Sequence, residues 1–134
     1  MTDLPASQAP LQTPGTLLVV DDDDIVRMVT TRMLERSGFT VLTAADGAAG
    51  VEIYRSNAGG IRAVLLDMTM PKMDGRETFA ALRAFDPAVK VILASGYPES
   101  DATGQFGESG LAGFIQKPYS PDELLASVRA VIDS

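Results

Sequence analysis

The chain has 134 residues, 46% of them hydrophobic and 22% charged, a length and balance that predict one compact globular domain. Its formal net charge of −7 argues against direct binding to nucleic acid or to an anionic membrane. No apolar run reaches the roughly 18 residues of a membrane span, and a cytoplasmic location fits. The chain has no cysteine and no histidine, which excludes disulfides, thiol chemistry and a phosphohistidine of its own.

Residues 1–15 differ in composition from the rest of the chain. They contain three prolines among Ser, Thr, Gln and Ala, show no hydrophobic periodicity, and lack the basic and apolar regions of a signal peptide. We expect a disordered leader or linker over residues 1–15 and a folded domain over residues 16–134.

Short apolar runs and helical stretches alternate from residue 16 onward. The runs predict five strands, at residues 16–21, 39–43, 62–67, 89–95 and 113–116. The intervening patterns predict five helices, at residues 24–37, at 46–57, after Asp74, at 99–110 and after Ser120. This alternation is typical of a parallel sheet with helices on both faces.

The helical patterns differ in quality. The first has Ile25, Val29 and Met33 spaced four apart and ends at Gly38, while residues 99–110 contain two internal glycines and make a poor helix. Apolar faces are predicted for the third and fifth helices, formed by Phe79, Leu82 and Phe85 and by Leu124, Leu125, Val128, Val131 and Ile132.

Four of the five predicted strands end in a polar or charged residue. Asp21 and Asp22 end the first strand, Asp67 the third, Ser95 the fourth and Lys117 the fifth. Right-handed crossovers bring the carboxyl ends of parallel strands to one edge of the sheet, where ligands bind in such folds. Each residue alone could be an ordinary turn residue, but all of them at one edge predict a site.

The residue types at this edge indicate the chemistry. Three carboxylates in one crevice repel each other and call for a cation, of which Lys117 supplies one positive charge. Oxygen ligands without histidine or cysteine favour magnesium over zinc or copper. A carboxylate beside a magnesium ion, an ammonium and a hydroxyl is suited to accept a phosphoryl group, and Asp67 is the best nucleophile because it ends a central strand.

Four segments, VVDDDD, LLDMTMPKMDG, ILASG and FIQKPYS, resemble the signature segments of receiver domains in two-component signalling. The resemblance covers about residues 17–132. It implies a flavodoxin-like (βα)5 fold with the strand order 2-1-3-4-5.

The resemblance also implies roles for individual residues. Asp67 is the phosphoacceptor, and Mg²⁺ or Mn²⁺ is held by Asp67, by Asp22, by Asp21 directly or through water, and by the backbone carbonyl of Thr69. Lys117 bonds the phosphoryl group or the acceptor carboxylate.

Further implied features concern switching. Ser95 is the switching hydroxyl, where the family more often has Thr, and Phe114 is the aromatic residue that rotates inward. The rearranging surface comprises the fourth helix, fifth strand and fifth helix, and the Lys117–Pro118 peptide is expected to be cis. Thr69 and Tyr97 occupy positions that tune the lifetime of the phosphoryl group.

The implied partner is a histidine kinase or a histidine phosphotransfer protein, and no outside substrate is turned over. The chain is either a free-standing regulator or, as SGYPE and GFIQKPYSPDELL favour, the receiver of a hybrid histidine kinase.

Other classes of protein fit less well. A phosphohydrolase resembling haloacid dehalogenases needs a second aspartate after Asp67-Met68, where Thr69 stands. A flavodoxin-like cofactor carrier would place phosphate where four aspartates follow the first strand. A receiver that binds partners without phosphorylation has no need of the complete acceptor set.

Overall fold

The computed structural model describes residues 15–57, 59–68, 70, 73–96 and 110–133. Within them, strands and helices alternate along the chain: β1 (Thr16–Val20), α1 (Asp24–Glu35), β2 (Thr40–Ala44), α2 (Gly47–Asn57), β3 (Ile61–Asp67), α3 (Gly75–Phe85), β4 (Val91–Ser95), β5 (Gly113–Gln116) and α4 (Pro121–Ile132). The strands form one parallel sheet in the order β2-β1-β3-β4-β5, so the predicted flavodoxin-like topology is confirmed. Residues 99–109 of the helix predicted at 99–110 lie outside the described residues, and α4 is the predicted fifth helix.

The central strands β1, β3 and β4 are buried on both faces, which explains why they are mostly apolar. Successive side chains of β1, β3 and β4 point to opposite faces. One set, including Leu18, Leu66 and Leu93, packs against α2 and α3, and the other, including Leu17 and Leu65, packs against α1 and α4. The helices therefore cover the sheet in pairs and leave its carboxyl edge to the loops.

The starts of three helices are set by capping side chains. Asp74 with Glu77 and Ser120 with Glu123 form complete capping boxes at the starts of α3 and α4. The Asp23 carboxylate caps α1 by accepting hydrogen bonds from the backbone N–H groups of Ile25 and Val26. Six predicted elements are wrong at their boundaries by one or two residues. The helix α1 ends at Glu35, α2 begins at Gly47, β1 ends at Val20 and β2 is shifted by one residue. The strands β3 and β4 begin at Ile61 and Val91.

Two predicted apolar helix faces are only partly buried. On α1 the buried residues are Thr30 and Leu34, whereas Ile25 is 69% exposed and Val29 is 40% exposed. On α3, Phe79 and Leu82 are buried but Phe85 is 45% exposed, and its ring lies edge-on to Tyr54. By contrast Leu124, Val128 and Val131 of α4 are buried as predicted. No helix in the described part of the chain is both long and apolar enough to cross a membrane.

Candidate functional site at the carboxyl edge of the sheet

Two neighbouring strands place three carboxylates together. β1 leads directly into Asp21 and Asp22, and β3, which is paired with β1, ends at Asp67. Asp21 and Asp67 are buried and Asp22 is exposed, and one oxygen from each of the three lies within 4.8 Å of the others. The carboxylates predicted to share a site therefore do so.

Lys117 joins two of these carboxylates. Its Nζ donates hydrogen bonds to Asp21 Oδ2 at 2.9 Å and to Asp67 Oδ1 at 3.0 Å. Burial lowers the pKa of the ammonium, but the hydrogen bonds to Asp21 and Asp67 outweigh it, and the net pKa is raised. Lys117 is consequently a fixed positive charge beside the buried end of β3.

The Asp67 carboxyl is electrostatically unfavourable in its ionised form. Its pKa is raised from 3.8 to about 6, chiefly by burial; the hydrogen bond and charge of Lys117 oppose this rise, and the charges of Asp21 and Asp22 add to it. One ammonium among three carboxylates leaves net negative charge on closely spaced oxygen atoms. Such a donor set fits a hard divalent cation such as Mg²⁺, which prefers oxygen ligands.

The end of β5 is tied to the end of β4. The Lys117 backbone N–H donates to the Ser95 carbonyl at 2.7 Å, and the Lys117–Pro118 peptide is cis, as predicted. Ser95 is buried at the end of β4. Phe114 pairs with Leu93, two residues before Ser95, and is half-buried against the core on the α2 and α3 side of the sheet. Ser95 and Phe114 thus lie along the same two strands on one face of the sheet.

Thr69, the predicted carbonyl ligand, and Tyr97 both lie outside the described residues. Of the remaining predicted site residues, Asp21, Asp22, Asp67, Ser95 and Lys117 are placed at the carboxyl edge, and Phe114 lies within β5.

Gly75 is a residue whose importance the sequence analysis missed. A Cβ atom at this position would lie 2.9 Å from the Asp67 carbonyl oxygen and equally close to Met68, so only glycine fits without a shift. Its N–H also donates to the Met68 carbonyl at 2.9 Å. The start of α3 therefore packs directly on the segment that follows Asp67. The available signal was a glycine at the first position of a helix.

Two further contacts had no signal in the sequence. The Arg27 guanidinium donates from Nη1 to the Asp21 carbonyl at 2.7 Å, which fastens α1 to the segment that carries the first carboxylates. The hydroxyls of Thr30 and Tyr119 lie 2.6 Å apart although 89 residues separate them in sequence.

A groove of about 400 Å³ borders the site between α1 and the β5–α4 turn. Its lining is mostly apolar and comprises Ile25, Val26, Val29, Thr30, Met33, Lys117, Pro118 and Tyr119. Lys117 therefore belongs both to this groove and to the carboxylate cluster. The exposed α1 residues lie next to the reactive end of the sheet and not on a remote surface.

Comparison with known proteins gives a family for this architecture. The model of the response regulator receiver domain matches residues 17–129. The chemotaxis protein CheY of Treponema pallidum is 33% identical over 130 residues, which cover 96% of this chain and 90% of that protein. The sensor kinase CckA of Brucella abortus is 35% identical over 119 residues, which cover 89% of this chain but only 13% of the kinase.

Solved structures agree with these relatives. The CheX-CheY-BeF3-Mg²⁺ complex from Borrelia burgdorferi contains a chain that matches with a TM-score of 0.85 and 32% identity, covering 91% of this chain and 92% of that one. The receiver domain of the hybrid histidine kinase CckA matches with a TM-score of 0.75 and 33% identity, covering 88% and 99%. The chain therefore belongs to the response regulator receiver domain family, whose general function is to accept a phosphoryl group on an aspartate in two-component signalling.

Proposed function

We propose that this chain accepts a phosphoryl group on Asp67 from a histidine in another protein or domain. The observation that carries the proposal is the buried Asp67 carboxylate, hydrogen-bonded to Lys117 at 3.0 Å and surrounded by the carboxylates of Asp21 and Asp22. An oxygen of Asp67 attacks phosphorus, the phosphorus–nitrogen bond to the donor imidazole breaks, and the imidazole leaves with the electron pair of that bond.

Lys117 and Ser95 assist the transfer in this proposal. The Lys117 ammonium lies against the acceptor carboxylate and neutralises negative charge on the transferring oxygens. Ser95 is buried at the end of the neighbouring strand β4, from where its hydroxyl can donate to a phosphoryl oxygen. The chain has no histidine, so the donor is a histidine kinase or a histidine phosphotransfer protein.

The site is suited to Mg²⁺, or Mn²⁺ in its place. Asp21, Asp22 and Asp67 would hold the ion together with the backbone carbonyl of Thr69, and the oxygen-only donor set supports this assignment. A bound ion supplies positive charge that the three carboxylates lack. The Borrelia burgdorferi complex, which contains Mg²⁺ with CheY and BeF3, adds support by similarity.

Phosphorylation is proposed to act as a switch and not as a step in turnover of an outside substrate. A phosphoryl group adds about −2 charge next to Ser95, and drawing the hydroxyl toward it vacates space that Phe114 can fill. The surface that responds comprises residues 99–110, β5 and α4.

Residues 16–134 form this cytoplasmic module and residues 1–15 a leader. A free-standing regulator and the receiver of a hybrid histidine kinase are both compatible with the relatives.

The protein donor is proposed to contact the α1 apolar face, defined as Ile25, Met28 and Val29. These three residues are exposed, and the groove beside two of them includes Lys117. A helix of the donor lying on this face would bring its histidine to Asp67. We assign the donor to this face because the face continues into the groove that Lys117 also lines.

Intact mass spectrometry after incubation with acetyl phosphate and Mg²⁺ tests the acceptor. We expect an adduct of about 80 Da, one phosphoryl group, on the wild type and on Asp133→Asn, but not on Asp67→Asn or after chelation of the metal. Asp133 is a matched control because it is an exposed carboxylate at the end of α4. An adduct that persists in Asp67→Asn would mean that another residue is the nucleophile.

A further inference from the structure

The hydrogen bond between Tyr119 and Thr30 joins two parts of the chain that carry opposite sides of the site. Thr30 is buried in the middle of α1, the helix that follows Asp21 and Asp22. Tyr119 lies in the turn between β5 and α4, two residues after Lys117. Their hydroxyl oxygens are 2.6 Å apart, and each satisfies a polar group that would otherwise face the apolar wall of the groove.

The turn that carries Lys117 is held on two sides. On the near side, the Lys117 backbone N–H is held by the Ser95 carbonyl at 2.7 Å. On the far side, Pro118 and Ser120 are exposed, and Tyr119 is half-buried between them. Among the hydrogen bonds of the described residues, the Tyr119 hydroxyl bond is the one that ties this turn to α1.

The other end of this connection is also fixed. Arg27, three residues before Thr30 on α1, donates to the Asp21 carbonyl at 2.7 Å. A chain of contacts therefore runs from Asp21 through Arg27 and α1 to Thr30, then to Tyr119 and back to Lys117. Lys117 closes the ring by donating to Asp21 Oδ2 at 2.9 Å.

We propose that Tyr119 is a positioning residue for phosphoryl transfer: its hydroxyl bond to Thr30 holds the β5–α4 turn so that the Lys117 ammonium stays between Asp21 and Asp67. The inference rests on the proposed function of the site. Tyr119 itself touches neither carboxylate in the described contacts and acts through Lys117. Rigid support of a reacting group matters because small displacements of such a group slow a reaction markedly.

A second tyrosine provides a matched control within the same molecule. Tyr54 of α2 donates from its hydroxyl to Asp86 Oδ2, also at 2.6 Å, and so ties α2 to the end of α3. Asp86 caps the carboxyl end of α3, whereas the phosphoacceptor site lies at the amino end of that helix. The two hydroxyl bonds have equal length and both join separate elements, but only one of them supports Lys117.

The experiment compares Tyr119→Phe, Thr30→Val and their double variant with Tyr54→Phe and wild type. Acetyl phosphate is the donor, so that the measured rate does not depend on contact between a protein partner and the groove. The maximal phosphorylation rate and the donor concentration at half-maximal rate are measured at saturating Mg²⁺, and the urea midpoint of each variant is recorded. Thr30→Ser, which keeps the hydroxyl, tests rescue.

Tyr119→Phe and Thr30→Val should each lower the maximal rate by about threefold to tenfold, the equivalent of the net free energy of one hydrogen bond. The double variant should be no slower than the singles, because both remove the same bond. Thr30→Ser should keep the wild-type rate. Tyr54→Phe should lower the urea midpoint and leave the rate unchanged.

Two results would overturn the inference alone while the wild type is phosphorylated. One is an unchanged rate in both Tyr119→Phe and Thr30→Val. The other is an equal loss of rate in Tyr54→Phe, which would show that the rate follows stability and not the position of Lys117. Absence of any adduct on the wild type would overturn the proposed function and this inference with it.

Discussion

Leu66 and Asp67 are neighbours on β3, and burial has opposite consequences for them. Leu66 is fully buried among apolar side chains, and its removal from water stabilises the fold. Asp67 is only 6% exposed, and burial, which disfavours the charged form, is the largest cause of the rise in its pKa to about 6. One residue belongs to the interior of the sheet and the other to its carboxyl edge. The interior of the sheet therefore holds the reactive edge in place, whereas the ionised carboxylate at that edge opposes folding.

The stabilisation that comes from burying Leu66 is tested by Leu66→Ala. We expect a loss of about 2–5 kcal/mol in the free energy of unfolding, because the truncation leaves a cavity in a region that cannot readily collapse. Urea denaturation of the metal-free protein measures it. Leu125→Ala is the control, since this side chain is only half-buried and should cost less. Equal losses in the two variants would mean that the interior of the sheet is not packed as described.

The cost of burying the ionised Asp67 carboxylate is tested by Asp67→Asn, which removes the ionisable group and keeps a side chain of similar size. In metal-free buffer at neutral pH we expect this variant to be more stable than the wild type by about 1–3 kcal/mol, since a shift of one pKa unit corresponds to about 1.4 kcal/mol. Lys117 keeps its hydrogen bond to Asp21 in the variant, so its charge is not left without a partner.

The stability difference between Asp67→Asn and the wild type should depend on pH in a defined direction. The folded-state pKa of Asp67 is raised from 3.8 to about 6, so between these values the folded wild type binds more protons than the unfolded chain. This contribution of Asp67 is therefore absent below about pH 4, becomes increasingly destabilising as the pH rises to about 6, and is constant above that. The check is the urea midpoint of both proteins, measured across this pH window with a chelator present. If the variant were no more stable than the wild type at about pH 6 and above, this expectation would be wrong.

The strand-end residues could be predicted because their signal is local. Asp67 and Ser95 follow an apolar run directly and Lys117 follows the short strand β5, and the topology of a parallel sheet brings such ends to one edge. The Thr30–Tyr119 bond could not be predicted, because the partners are 89 residues apart and neither residue type is unusual in its segment. Gly75 was missed because its role depends on how closely α3 approaches Met68.

The sequence also failed to predict which residues of α1 are buried. The four-residue spacing of Ile25, Val29 and Met33 correctly predicted a helix, but Ile25 and Val29 are substantially exposed, and Thr30 and Leu34 are buried. Apolar periodicity identifies the helix, whereas the neighbours available to each face decide which side is covered. On α4 the buried residues Leu124, Val128 and Val131 all belong to the predicted apolar stripe, since that stripe packs on the sheet.

Ile25→Glu extends the comparison to an apolar residue that contributes to neither the interior nor the reactive edge. Its side chain is 69% exposed, so we expect the free energy of unfolding to change by no more than about 0.5 kcal/mol. The phosphorylation rate with acetyl phosphate should also stay the same, because this small donor needs no contact with α1. Transfer from a histidine kinase that phosphorylates the wild type should be slower, since a charge then lies on the α1 apolar face where the donor is proposed to pack.

Ala80→Glu is the control for Ile25→Glu, because it places the same charge at an exposed position of α3, away from the groove. A kinase reaction slowed equally by both substitutions would point to the net charge of the domain and not to the α1 apolar face. A loss with acetyl phosphate as well would show that Ile25 supports the acceptor site itself. Selective loss with the protein donor would separate the surface that recruits the phosphoryl group from the edge that accepts it, because only the first depends on contact with a partner.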